Sequence, residues 1–208
     1  MKIAIVGTGN MGAGLARVLT GAGYELAIGH RDPAKAAALA AELSANVEGG
    51  GITAAVKLAD VVILALPYGA IGEALKAAGD LTGKVLVDIS NPITADYRGL
   101  LVGHSTSAAE EIQALVPAAT VVKAFNTIFA TLLPIGARNG KTLQVFVAGN
   151  DEPAKETVSN IAKAIGFEPV NAGELTNARF IEPIGEMNIH FGFFLGKGPS
   201  VAPAWVQV

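Results

Sequence analysis

Six short runs along the chain are apolar without alternation: residues 2–6 (KIAIV), 25–29 (ELAIG), 61–66 (VVILAL), 84–89 (KVLVDI), 120–125 (TVVKAF) and 143–149 (LQVFVAG). A strand with one wet face alternates polar and apolar residues, whereas a parallel strand covered on both faces does not. Alanine-rich helical stretches separate the runs, and that rhythm is βαβ. The pattern predicts an α/β fold with an open, doubly wound, mostly parallel sheet. Helix starts are legible at Asp32-Pro33, at Ser107 with Glu110 three residues on, and at Asp151 followed by Pro153. The 59 residues after Gly149 read as a helix near 151–165, a short strand at EPVNAG, a second helix and an irregular tail. That is too little for a separate substrate domain. Residues 1–150 are expected to form the core and 151–208 a small C-terminal cap over the carboxyl edge of the sheet, within one compact unit.

Between the first strand and the first helix stands GTGNMG, residues 7–12. In a Rossmann dinucleotide fold the first glycine of G-x-G-x-x-G makes the tight turn, the second admits the pyrophosphate, and the third lets helix pack on strand. Gly7, Gly9 and Gly12 fill those places, in the strand-turn-helix context the motif requires. Backbone N–H groups at the helix start are expected to hold the pyrophosphate, with Thr8 and Asn10 adding hydrogen bonds and Met11 packing on the ribose or nicotinamide side.

The second strand ends where an NAD-preferring protein places an acid for the ribose 2′-hydroxyl. Here the chain reads GHRDPAK. Gly29 and His30 occupy the acid's place, and Arg31 and Lys35 follow, a donor set suited to a 2′-phosphate dianion. Asp32 reads as a helix cap. The expected cofactor is therefore NADP(H). Leu66 and Pro67, then Ser90, Asn91 and Pro92, then Ala124, Asn126 and Thr127 follow later strands at the same edge, and are expected to line the ribose and nicotinamide pocket.

Hydrophobic residues make up 51% of the 208-residue chain and mean hydropathy is +0.46, yet no apolar run approaches the roughly 18 to 20 residues that span a bilayer. MKIAIVGTG reads as a first strand and not as a secretory signal. With no cysteine there is no disulfide or thiolate chemistry, in keeping with a cytoplasmic protein. A net charge of -3 gives no general attraction for nucleic acid or anionic lipid. The three histidines show no ligand spacing, so no metal site is expected.

The motifs IVGTGNMG, GHRDPAK, DISNP, VKAFNTI and VFVAGND together resemble the NADPH-dependent reductases of the deazaflavin coenzyme F420, a fold also found in the oxidoreductase domain of STEAP-type metalloreductases. The resemblance reaches to about residue 170. It implies that Thr8, His30, Arg31 and Lys35 surround the 2′-phosphate, that a deazaflavin or flavin (F420, FMN or FAD) accepts hydride in the cleft, and that the protein is a homodimer. The family's frequent Ser or Thr at position 30 is His30 here, and the segment RFIEPIGEMNIHFGFFLGKGP departs from the family's tail.

Hydride exchange between two such rings needs no protein acid or base, so no catalytic side chain is assigned. The partner is a small-molecule redox acceptor. Two other readings stand beside this one: reduction of a small carbonyl or imine, which needs a proton donor at the nicotinamide, and a non-catalytic NADP-binding redox sensor. Phe191, Phe193, Phe194 and Trp205 read as core or dimer interface before they read as a wall of the site. His190 reads as a core histidine, His104 as a loop residue, and Glu110 and Glu111 as a solvated helix start.

Overall fold

The computed structural model describes residues 1–44 and 46–208. In chain order the elements are β1 (Lys2–Val6), α1 (Asn10–Gly21), β2 (Glu25–Gly29), α2 (Pro33–Leu43), β3 (Val47–Gly50), α3 (Ile52–Leu58), β4 (Val61–Leu64) and α4 (Tyr68–Ala78). There follow β5 (Val85–Asp88), α5 (Ala108–Leu115), β6 (Thr120–Lys123), β7 (Gln144–Gly149), α6 (Glu152–Ala164), β8 (Glu168–Asn171) and α7 (Ala178–Ile189). The strands form one sheet in the order β3-β2-β1-β4-β5-β6-β7-β8. Neighbours run parallel except β6 and β7, which pair antiparallel. The order reverses between β1 and β4, which opens a crevice at the carboxyl ends of those strands.

Each strand sends successive side chains to opposite faces, and both faces are covered. Ile3, Ile5, Leu26 and Ile28 pack under α1, α2 and α6. Ala4, Val6, Ala27 and Val62 pack under α3, α4 and α5. This double burial is why the strands read as unbroken apolar runs.

The caps form as the residues dictate. Asp32 accepts from the Ala34 N–H (3.1 Å) and Asp151 from the Ala154 N–H (2.8 Å). Ser107 Oγ accepts from the Glu110 N–H (3.2 Å), an N-cap bond, and its hydroxyl donates to the Glu110 carboxylate (2.8 Å). The edge strand β3 has no counterpart among the apolar runs, since VEGG carries one apolar residue. Packing explains it: a Cβ on Gly49 would lie 2.3 Å from the Ala36 carbonyl oxygen. Glycine here lets α2 lie directly on the strand.

Beyond β7, α6 covers the sheet and β8 extends it. From there α7 crosses back along the carboxyl ends of β5 and β6, where Asn126 donates to the Ile181 carbonyl (3.1 Å) and Asn188 to the Thr127 carbonyl (3.1 Å). A π-helical turn over His190–Phe194 ends it, and the last residues run without regular structure.

Candidate functional site

The turn between β1 and α1 is built by its glycines. Gly7 sits at φ +114°, donates to the Gly29 carbonyl (2.9 Å), and any Cβ on it would meet the Ala65 carbonyl oxygen at 2.3 Å. A Cβ on Gly12 would meet the Gly7 carbonyl oxygen at 2.1 Å. Gly9 differs: a Cβ there meets nothing within 4 Å. Two glycines are demanded by the chain itself, and the third faces open space. Helix α1 starts beside it with no side-chain cap, so its first-turn N–H groups and dipole are left to an anion.

After β2 the polar groups sort themselves. The Asp32 carboxylate is held at the start of α2 by the Ala34 N–H. His30 Nδ1 lies 2.9 Å from the Asp32 backbone nitrogen and 3.1 Å from the Asp32 carbonyl oxygen, which holds the ring against the start of α2. Arg31 and Lys35 are exposed, and among the described residues neither joins an ion pair.

At the carboxyl edge a cleft of about 570 Å³ is lined by Gly9, Asn10, Met11, Leu66, Pro67, Ser90 and Asn91, together with Tyr68, Thr94 and Tyr97. Met11 and Asn91 are shared with a smaller adjoining pocket that includes Asn126 and Thr127. Pro92 and Ala124 are buried and line neither pocket. The loops are cross-braced: Asn91 Nδ2 donates to the Asn126 carbonyl and Asn126 Nδ2 to Asn91 Oδ1, each at 2.8 Å. Gly185 of α7 makes room for this pair, because a Cβ there would lie 2.5 Å from Asn91 Oδ1. Phe125, buried at φ +58°, is in a backbone region that costs a bulky residue about 1 to 2 kcal/mol. It turns the chain so that Asn126 and Thr127 reach the pockets. Among the described residues, Ser90 Oγ, Asn126 Oδ1 and Thr127 Oγ1 are buried polar atoms with no partner.

Several participants were not singled out from the sequence. Tyr68 lines the cleft and donates its hydroxyl to Glu111; burial first, then the Glu111 carboxylate, pushes the phenol up to about 12. It stays protonated at neutral pH with that proton already engaged. Glu110 holds Arg179 through two contacts, 2.8 and 2.5 Å, and the guanidinium holds its carboxyl below the usual carboxylate range. The adjacent glutamates are thus half-buried struts and not a solvated helix start. Beneath the cleft Asp88, Lys123 and Glu182 form a buried cluster. The signal for it was present, since Asp88 and Lys123 interrupt otherwise apolar strand runs.

The aromatic tail is not core: Phe193 is 62% and Trp205 71% exposed. Phe193 and Phe194, with Tyr97, Phe129 and Ile189, line an apolar hollow beside the pockets. His190 is not a core histidine either; half-buried, it stacks on Phe194 (centroids 4.6 Å apart) and its Nε2 lies 2.9 Å from the Tyr97 carbonyl oxygen. His104 lies in a loop at φ +56°.

A switch-point crevice, a three-glycine turn and a cleft that begins at Gly9 define a Rossmann dinucleotide-binding protein. Residues 2–92 match the family model described as NADP oxidoreductase, coenzyme F420-dependent. An F420-dependent NADP reductase of Methanothermobacter thermautotrophicus is 34% identical over 206 residues, covering 91% of this chain and 88% of that protein. A solved structure from Arthrobacter sp. FB24, a candidate F420-dependent NADP reductase, superposes with a TM-score of 0.86 at 34% identity, covering 96% of each chain. The chain belongs to the F420-dependent NADP reductase family. Rat metalloreductase STEAP3 is 37% identical over 186 residues, 88% of this chain. The chain spans only 36 to 38% of the length of the STEAP relatives it matches. Among the described residues, no helix is long and apolar enough to cross a membrane.

Proposed function

We propose that the chain is an NADP(H)-dependent oxidoreductase that exchanges hydride between the nicotinamide and a deazaflavin (F420) or flavin-type acceptor. The observation that carries the cofactor choice is the division of labour after β2: Asp32 is occupied as the α2 cap, while Arg31 and Lys35 are free of ion pairs among the described residues. A carboxylate positioned for a ribose hydroxyl would favour NAD; exposed cations favour a 2′-phosphate. Gly9 and the N–H groups of α1 would hold the pyrophosphate, with Gly7, Thr8, Asn10 and Gly12 completing the turn. Leu66, Pro67 and Met11 would flank the ribose and ring. Ser90 and Asn91 from the cleft, and Asn126 and Thr127 from the adjoining pocket, would line the ribose and carboxamide. The bound nicotinamide supplies the hydride. The chain's own residues orient the ring and keep water from its face, and none of them moves a proton in that exchange.

On this reading residues 1–150 hold the dinucleotide and 151–208 close over its reactive end. Exposed Phe180, Met187, Phe191 and Phe193 on α7 and the following turn support a homodimer that buries them. A cytoplasmic location belongs to the same reading, in keeping with a sequence without cysteine.

Arg31→Ala is expected to weaken NADPH binding at least tenfold, about 1.4 kcal/mol, and to leave NADH nearly unchanged in fluorescence titrations. Equal loss for both cofactors would remove the 2′-phosphate assignment. A spectrophotometric screen of NADPH oxidation with F420, FMN, FAD, a ferric chelate and a carbonyl panel tests the acceptor. Reduction of the deazaflavin or a flavin is the expected result; carbonyl turnover alone, or binding without turnover, overturns it.

A further inference from the structure

The buried cluster under the cleft has no part in the chemistry above, yet it is the most constrained polar feature near it. Asp88 and Lys123 end β5 and β6 and face each other in register. Both are 0% exposed, and Glu182, from α7, is 1% exposed. Lys123 Nζ donates to Asp88 Oδ2 (2.7 Å), Glu182 Oε1 (2.8 Å) and the Ser90 carbonyl (2.6 Å). An ammonium has three hydrogens, and all three are placed.

Ser90 is therefore gripped at both ends of its own backbone: its N–H donates to Asp88 Oδ1 (2.9 Å) and its carbonyl accepts from Lys123. The next residue is the Asn91 that braces Asn126. Glu182 also receives the Ala108 and Ala109 N–H groups at the start of α5, at 3.0 and 3.3 Å. One cation thus fixes the Ser90–Asn91 turn on one side of the pockets and α7 on the other.

Stability alone is a weak account of such a group. Burial pushes the Glu182 carboxyl up, against the pull of the Lys123 ammonium, and buried ion pairs are commonly matched or bettered by apolar residues of similar volume. What an apolar replacement cannot do is hold a carbonyl and a helix at a set separation.

We infer that Lys123 is a positioning residue for the nicotinamide end of the cleft, setting the spacing between the Ser90–Asn91 turn and α7 without touching the cofactor. This rests on the NADP(H) reading of the site. It predicts that loss of Lys123 harms the nicotinamide half of the cofactor and spares the adenosine half.

The test compares NADPH with 2′,5′-ADP, which keeps the 2′-phosphate and lacks the nicotinamide, on wild type, Lys123→Met and Glu182→Gln. Expected for Lys123→Met are a Kd for 2′,5′-ADP within about twofold of wild type, a Kd for NADPH raised at least fivefold, and emission of bound NADPH shifted toward that of the free nucleotide. Removing Lys123 takes the cation from two buried carboxyl groups and threatens folding, so Glu182→Gln, which keeps the Lys123–Asp88 pair and leaves one accepting oxygen where Lys123 and the start of α5 had two, decides if it does. There the same split and the same emission shift are expected. Equal weakening of both ligands, or wild-type emission and affinity in a folded variant, overturns the inference. Wild-type protein that binds neither nucleotide overturns instead the NADP(H) reading beneath it.

Discussion

Replacing Gly9 with alanine is expected to lower NADPH affinity at least about a hundredfold, about 2.8 kcal/mol, while the melting temperature stays within ~1 °C of wild type. The backbone at Gly9 is extended, φ −70° and ψ −175°, a conformation alanine adopts without strain. The added methyl meets no protein atom within 4 Å. Its cost falls entirely on a ligand that must approach the backbone. Gly12→Ala is the control with the opposite signature: its methyl would sit 2.1 Å from a backbone oxygen, and backbone cannot rotate away as a side chain does. That variant is expected to lose at least about 2 kcal/mol of stability in denaturant unfolding. Isothermal titration beside thermal melts of both proteins separates the roles. Unchanged NADPH affinity in a folded Gly9→Ala protein would mean that the turn holds no pyrophosphate.

The same contrast shows what a linear sequence exposes. The glycine turn, the caps at Asp32, Ser107 and Asp151, and the buried parallel strands depend on neighbours within a few residues, so their chemistry is written locally. Strand β3 is not, because VEGG becomes a strand only when α2 settles on Gly49. Edge strands held by one partner and a helix carry little apolar signal of their own.

Site residues divide in the same way. Asn91 and Asn126 follow strand ends, and the topology that gathers strand ends also gathers them. The roles of Glu110 and Glu111 lie with Arg179 and Tyr68, 69 and 43 residues distant, and no local pattern announces such partners. His190 sits in an apolar segment, but that segment is the partly exposed turn after α7, so its ring stacks at a surface and not in a core. Asp88 and Lys123 were readable in principle: a charge inside a doubly buried strand must be paired, and two such charges on strands adjacent in a predicted sheet are natural partners. Glu182, on a helix that returns from beyond β8, had no such marker.

Arg138 carries the second large expected effect, on stability. It is 3% exposed, and no carboxylate answers it among the described residues. Carbonyl oxygens do instead. Nε donates to Leu132 (2.9 Å), Nη2 to Ile165 (3.0 Å) and Leu133, and Nη1 to Gly166. Ile165 and Gly166 lie at the end of α6, where the helix dipole favours a cation, and the guanidinium carbon lies 3.6 Å from the centre of the Phe167 ring. The arginine thus ties the segment after β6, which carries Phe129 into the pocket walls, to the far end of α6. Arg138→Ala strips four carbonyls of their donor and opens a cavity, and is expected to cost at least about 3 kcal/mol. In a chain of this size that corresponds to a fall of roughly 6 to 12 °C in melting temperature. Arg138→Lys keeps the charge but has three donors and no planar fork, so it should recover only part of the loss. Full recovery by lysine would show that charge at the helix end, and not the shape of the guanidinium, holds the two segments together.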